Sequence, residues 1–153
     1  MFTLYSADFT GNPGNCSYPH KTVVMNTDNL REAVCHDYVC AEYKNHYRNG
    51  ENFISADCLP VDCDNDHSED PNDWVTPADV LEAFPGVSIA IHYSRFNNRE
   101  KNGKPARPKF HVLFPIDRMT DATLYSDMKK LVNSIFPYFD TKALDAARFF
   151  FGT

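Results

Sequence analysis

The sequence contains no apolar run approaching the roughly 20 residues that span a bilayer, so a membrane-crossing helix and a membrane partner are not expected. Nor does a basic segment followed by an apolar stretch open the chain: Met1 leads straight into Phe2-Thr3-Leu4-Tyr5, and the expected location is cytoplasmic. There is no Cys-x-x-Cys pair. The five cysteines, Cys16, Cys35, Cys40, Cys58 and Cys63, form an odd set that fits reduced thiols better than a disulfide framework. Cys35, His36 and Cys40 lack a second ligand pair at tetrahedral-site spacing, so zinc is not expected. Internal repeats and low-complexity tracts are absent. Positive charge is also short: a formal net charge of −6 argues against a protein that coats nucleic acid by bulk electrostatics. What remains is 153 residues, 42% of them apolar, enough to fill one core, so residues 1–153 are expected to form a single domain.

The most telling absence is local. No Lys or Arg lies between Gly50 and Arg95, although Asp57 to Asp73 carries seven acidic residues. From Arg95 to Lys109 the sign reverses, with six basic residues and the single Glu100. The acidic segment centres on Cys58-Leu59-Pro60-Val61-Asp62-Cys63-Asp64-Asn65-Asp66-His67, an apolar run that ends in alternating carboxylates. In a strand, successive side chains point to opposite faces, so Asp62 and Asp64 project side by side with Cys63 turned away. Two such carboxylates repel unless a cation sits between them, and hard divalent ions such as Mg²⁺ or Mn²⁺ take carboxylate oxygens together with substrate phosphates. Two solvated loops of opposite sign would give the same composition. The reading therefore needs partners elsewhere in the chain.

Taken in order, Phe2 to Phe9 alternates loosely as a strand and ends at the turn residues Gly11 to Asn15. Lys21 to Met25 is a second short strand. Thr27 or Asp28 caps a helix whose stripe of Leu30, Ala33, Val34, Tyr38 and Ala41 carries it to about Tyr47. The carboxylate strand follows. Thr76-Pro77-Ala78-Asp79 opens another helix, with Thr76 as cap and Pro77 in the first position. Val87 to Tyr93 alternates as a strand, and Ser94 to Pro108 is a long basic connection of a length often reserved for function. Lys109 to Phe114 is the next strand, with Phe110, Val112 and Phe114 on one face and Lys109, His111 and Leu113 on the other. Thr120-Asp121 starts a helix through Leu124, Met128, Leu131, Val132 and Ile135, and Thr141 to Ala147 is a short helical stretch. Strands mixed with amphipathic helices indicate an α+β fold: a mainly antiparallel sheet with helices packed on one side. A hairpin of the Val87 and Lys109 strands would bring His111 and the basic loop to one edge.

Four features then stand together: the Asp62/Asp64 pair, the strand-borne His111, the basic loop, and Asp140 after an aromatic run. Two-metal nucleotidyl transfer needs about three carboxylates plus cations for the triphosphate. The order Val61-Asp62-Cys63-Asp64, Lys109-Phe110-His111-Val112-Leu113-Phe114-Pro115, Phe139-Asp140 with Ala147-Arg148 resembles the three motifs of the archaeo-eukaryotic primase, or primase-polymerase, superfamily. Asp64-Asn65-Asp66-His67, Tyr93-Ser94-Arg95 and Asp145-Ala146-Ala147-Arg148-Phe149 are similar to primase-like domains of phages, plasmids and integrated elements. The resemblance covers residues 18 to 153.

The resemblance implies an RRM-like primase catalytic core that performs template-directed nucleotidyl transfer, as a DNA primase or polymerase, in the replication of a mobile element. It implies Asp62, Asp64 and Asp140 as catalytic ligands of two Mg²⁺ or Mn²⁺ ions, and His111 as a contact to the phosphates of the incoming nucleotide. Arg148 matches a basic position after the third motif. Charge and position add Arg95, Arg107 and Lys109 as triphosphate contacts. Implied partners are nucleoside triphosphates, a single-stranded DNA template and a replicative helicase, fused or separate. Such cores generally continue past the third motif, so the chain reads as a minimal version or an N-terminal fragment. Asp66 and Asp145 are rival carboxylates. Three other functions compete. A replication-initiator nickase would want a His-hydrophobe-His triplet, yet His92 and His111 are solitary in the sequence. A non-catalytic RRM-like nucleic-acid-binding module would want a basic, aromatic sheet face. A glycosyltransferase-like use of Asp-x-Asp leaves the histidine strand unexplained.

Overall fold

The computed structural model describes residues 1–101 and 103–153; residue 102, in the basic connection, lies outside the described residues. The strands and helices run β1 (Phe2–Ser6), β2 (His20–Val24), α1 (Thr27–Val34), β3 (Tyr38–Val39), β4 (Ala41–Tyr43), β5 (Phe53–Cys63), α2 (Pro77–Ala83), β6 (Ala90–Tyr93), β7 (Phe110–Met119), α3 (Ala122–Ile135) and β8 (Phe149–Phe150). The fold is α+β with two antiparallel four-stranded sheets, ordered β2-β1-β3-β8 and β4-β5-β7-β6.

The single sheet expected from the sequence is thus two. The reason lies at Tyr38 to Tyr43, which the sequence pattern had assigned to a helix reaching Tyr47. Tyr38, Val39, Cys40, Ala41 and Tyr43 are all buried, and nearly continuous burial is what a strand between two layers produces, not a one-faced helix. Helix α1 instead stops at Val34; its cap is Asn26, whose side chain accepts from the Asn29 amide at 3.0 Å. Cys40 alone separates β3 in the first sheet from β4 in the second, so the chain changes sheets there.

Each sheet face has its own core. On β5 and β7 the residues Val61, Cys63, Phe110, Val112 and Phe114 face a core closed by α2 and α3, with Val80, Phe84, Tyr125 and Phe136 packed into it. The opposite face, with Cys58 and Leu113, packs against Phe2, Leu4, Tyr38 and Phe150 of the first sheet and Val34 of α1. Helices therefore cover both layers, where one side was expected. Helix α2 begins as its sequence dictates: Thr76 and Asp79 form a capping box with Pro77 inside the first turn.

Helix α3 turns a different face inward than its apolar stripe suggests. Leu124, Leu131 and Ile135 are exposed, while Tyr125 and Lys129 are buried. The long polar-tipped side chains win because each finds a carbonyl beneath: the Tyr125 hydroxyl donates to Cys58 O at 2.7 Å and Lys129 Nζ to Asp145 O at 2.8 Å. A leucine would leave those carbonyls unpaired.

One carboxylate ties the loop after β1 to the segment after β8. Asp37, fully buried, accepts from the amides of Gly11, Asn12 and Gly152. Gly11 has φ +90°, and a Cβ there would lie 2.9 Å from Arg95 Nη1. At Gly152 a Cβ would meet the His36 backbone at 2.5 Å, a contact that no side-chain rotation relieves. Gly152→Ala is expected to lower stability by about 1–3 kcal/mol, the usual range for overpacking, in urea unfolding. Gly50→Ala, with nothing within 4 Å of the added Cβ, is the neutral control.

Candidate metal centre

The site forms at the seam between the sheets, where β5 ends. Register places Asp62 opposite His111 and His111 opposite His92, so three polar side chains stand in one row across β5, β7 and β6 on the face toward the first sheet. Asp140 arrives from the loop after α3. Its amide donates to Asp62 O at 2.7 Å, and its side chain caps the turn Thr141–Ala143 by accepting from the Lys142 amide at 2.9 Å. The result brings one carboxylate oxygen each from Asp62, Asp64 and Asp140 within 4.8 Å of one another. Such a cluster can bind a divalent metal ion.

The electrostatics fit that use. Asp62 is 7% exposed, and burial, then Asp64 and Asp140, push its carboxyl up to about 8 against the opposing pull of Arg148 and Lys109. Among the described residues its Oδ1 has no hydrogen-bond partner; His111 Nε2 stands 3.6 Å away. A cation placed beside a buried, unpaired oxygen between two further carboxylates would offset the cost of burying its charge.

Beside the carboxylates is a pocket of about 100 Å³ walled by Asp62, Asp64, Arg95, His111, Arg148 and the Phe149–Phe151 segment. Its walls bring two carboxylates, an imidazole and two guanidinium groups to one small space. Among the described residues, Nε of Arg95 and Nε of Arg148 are also buried without partners. The guanidinium carbon of Arg95 is 4.1 Å from the Phe151 ring centroid and that of Arg148 is 5.9 Å from the Phe149 and Phe150 rings, which fixes both planes without neutralising them. Through Ser94 and Arg95 this pocket adjoins a cleft of about 750 Å³ that holds Arg31, Tyr93 and Arg99. On the other side, Asp64 and Asp140 border a third hollow of about 270 Å³ with Asp66, Tyr138 and Lys142.

The basic residues divide. Lys109 is buried with Nζ 3.2 Å from Asp64 Oδ1 and 3.9 Å from Asp66, so it holds the second carboxylate in place. Arg107, taken from the sequence as a phosphate contact, is not among the residues walling the pocket. Fully buried, it donates to Asn65 O and Ser68 O and pairs with Glu69 at 2.8 Å, its guanidinium over Trp74. Its charge is used to close the acidic loop. Arg107→Met is therefore expected to cost about 2–4 kcal/mol of stability, the scale of a broken buried charged network, in a denaturant titration, while metal and nucleotide binding to the folded fraction persist.

The rival acids also sort themselves. Burial raises Asp66, but Lys104, Lys109 and Arg107 outweigh it and hold its carboxyl below the usual value; Lys104 Nζ lies 3.1 Å away. Asp145 is exposed and accepts from the Ala147 amide. Neither belongs to the three-carboxylate group.

Sequence reasoning missed two residues. His92, counted as solitary, has Nε2 3.2 Å from His111 Nδ1, and Tyr38 puts its hydroxyl 2.8 Å from His92 Nε2 and 3.1 Å from His111 Nδ1. The β6/β7 hairpin, visible in the alternation of the two strands, was the signal for His92; nothing in the sequence marked Tyr38, which arrives from the other sheet. Among the described residues no helix is long and apolar enough to cross a membrane. The chain matches no protein-family model, no curated protein and no solved structure.

Proposed function

We propose that the chain catalyses template-directed nucleotidyl transfer, of the primase-polymerase kind, with Mg²⁺ or Mn²⁺. The observation that carries this reading is the pairing of opposites: an orphaned buried carboxylate oxygen in a three-acid cluster, and two arginines with orphaned Nε atoms across the same small pocket. A cation site shares a wall with an anion site, which is what a metal-bound triphosphate requires.

Asp62, Asp64 and Asp140 would hold two ions, whose chemistry is to offset charge on the triphosphate and lower the pKa of the attacking 3′-hydroxyl. The chain's own groups do the rest. Lys109 keeps Asp64 oriented. Arg95 and Arg148 bind the phosphates, and their ring contacts hold them ready. The hydroxyl oxygen bonds to the α-phosphorus as the bond to pyrophosphate breaks, and the hydroxyl proton passes to solvent water. Nucleoside and template occupy the wider cleft, where Tyr93, 55% exposed, offers a stacking ring and Arg31 and Arg99 meet backbone phosphate. The resemblance of motif order to the primase-polymerase superfamily supports this over a binding module. Tyr38, fully buried between two imidazoles, is no nucleophile for a nickase.

The test is a thermal-melting experiment with Mn²⁺ and a nucleoside triphosphate. Together they raise Tm, because a ligand bound only to the folded state stabilises it. The shift vanishes in the Asp64→Ala/Asp140→Ala double variant; its survival there removes the metal assignment. Incorporation of labelled nucleotide on a primed single-stranded template then separates a polymerase from a nucleotide-binding protein.

A further inference from the structure

We propose that His92 and Tyr38 are positioning residues that hold His111 as its Nδ1–H tautomer, so that Nε2 enters the carboxylate site as a lone pair. The resemblance to known primases implied a different role for His111, that of a contact to the incoming phosphates. The hydrogen-bond chain leads to the opposite polarity.

The chain is fixed at its outer end. His92 Nδ1 lies 3.2 Å from Tyr93 O, in hydrogen-bond geometry. A carbonyl oxygen only accepts, so Nδ1 carries the proton. Burial pulls the His92 pKa down to about 4, and the ring is neutral; its Nε2 is then an acceptor. The closest group to that nitrogen is the Tyr38 hydroxyl at 2.8 Å, which has one proton and gives it there. His111 Nδ1 now faces two acceptors, the Tyr38 oxygen at 3.1 Å and His92 Nε2 at 3.2 Å. It satisfies them only as N–H. In a neutral ring the lone pair is left on Nε2, which lies 3.6 Å from Asp62 Oδ1 and borders the pocket.

The rings cannot readily turn out of this arrangement. His111 packs at 4.8 Å from the Phe150 ring and meets His92 edge-to-face at 4.8 Å, and Tyr38 stacks on Phe150 at 5.4 Å. Four strands build the chain: β6 gives the carbonyl and His92, β3 the hydroxyl, β7 the imidazole, and β8 the ring behind them. For nucleotidyl transfer, on which only this consequence rests, His111 accepts a proton or a cation and does not donate to a phosphate oxygen. Anion binding falls to Arg95 and Arg148.

The experiment is a long-range proton–nitrogen correlation spectrum of metal-free residues 1–153 with ¹⁵N-labelled histidine at pH 7.5. The expected result is a protonated-type Nδ1 and an unprotonated-type Nε2 for His111; the reverse pattern overturns the proposal without any variant. In His92→Leu the Tyr38 hydroxyl loses its acceptor, donates to His111 Nδ1 and inverts the tautomer. In His92→Gln the amide oxygen accepts in place of the ring, and the wild-type pattern returns. Unchanged nitrogen shifts in a folded His92→Leu protein mean a merely structural histidine and sink the positioning role. Mn²⁺ affinity, read by electron paramagnetic resonance, falls about tenfold in His92→Leu, the lower end for loss of a group that orients a ligand-side imidazole, and recovers in His92→Gln. A reversed tautomer with an intact Mn²⁺-nucleotide melting shift defeats this inference alone. The expected tautomer with no shift defeats the nucleotidyl-transfer reading alone.

Discussion

Asp62→Asn is expected to make the metal-free protein more stable above neutral pH while lowering nucleotidyl transfer by about 10²–10³-fold or more, the cost of removing one preorganised electrostatic group. The two effects have one cause. Burial and the neighbouring Asp64 and Asp140 oppose charge on Asp62 and push its carboxyl up to about 8, so ionising it costs folding energy that only a bound cation returns. The amide is nearly isosteric and never ionises. It removes the penalty and the metal ligand together. Urea unfolding at pH 8 with and without Mn²⁺ measures both: the variant should unfold at higher urea than wild type without metal, and at lower urea with it. If Asp62→Asn is destabilised in both, the carboxylate is held by partners other than those seen, and the metal reading loses its main support.

The second large effect is a pH dependence whose sign follows from the same group. Its folded pKa, about 8, exceeds the ordinary unfolded value of about 3.9, so the native state holds more protons across that interval. Stability is greatest at the acid end of the window and is lost as pH rises through the folded pKa. His92, lowered to about 4 by burial, and His111, lowered by burial, by His92 and by Arg148, work the other way up to about pH 6.5, so the decline is cleanest from there to pH 8. The slope is about 1.4 kcal/mol per unit, or about 2 kcal/mol over that span. Cation binding reverses the trend, because the ion displaces the proton: Mn²⁺ affinity should rise about tenfold per unit up to pH 8 and then level off. Calorimetric titrations at half-unit steps would show it. A flat affinity profile would mean that Asp62 is already ionised without metal.

Much of the site could be read from the sequence because its chemistry is local. Alternation alone put Asp62 beside Asp64 and set His111 apart from Phe110 and Val112, and the acidic and basic blocks differ by simple charge. The β6/β7 hairpin, the Thr76 cap and the helix start at Thr120-Asp121 followed from turn and cap chemistry for the same reason. What escaped depends on distant parts of the chain. The Tyr38–Tyr43 segment carries a helix-like spacing, and only burial between two sheets makes it strand. Leu124, Leu131 and Ile135 look like core until Tyr125 and Lys129 find carbonyls from residues 58 and 145. Arg107 looks like a phosphate contact until the acidic loop folds around it. In each case packing or hydrogen bonding with other parts of the chain overrode local pattern.

The bond from the Asp140 amide to the Asp62 carbonyl means that two of the three carboxylates share a backbone latch. Solvent can exchange that amide only when the latch opens, and opening separates oxygens that a bound ion would draw together. The exchange lifetime of a single peptide proton thereby becomes a gauge of occupancy, readable in the resting protein with no substrate turned over.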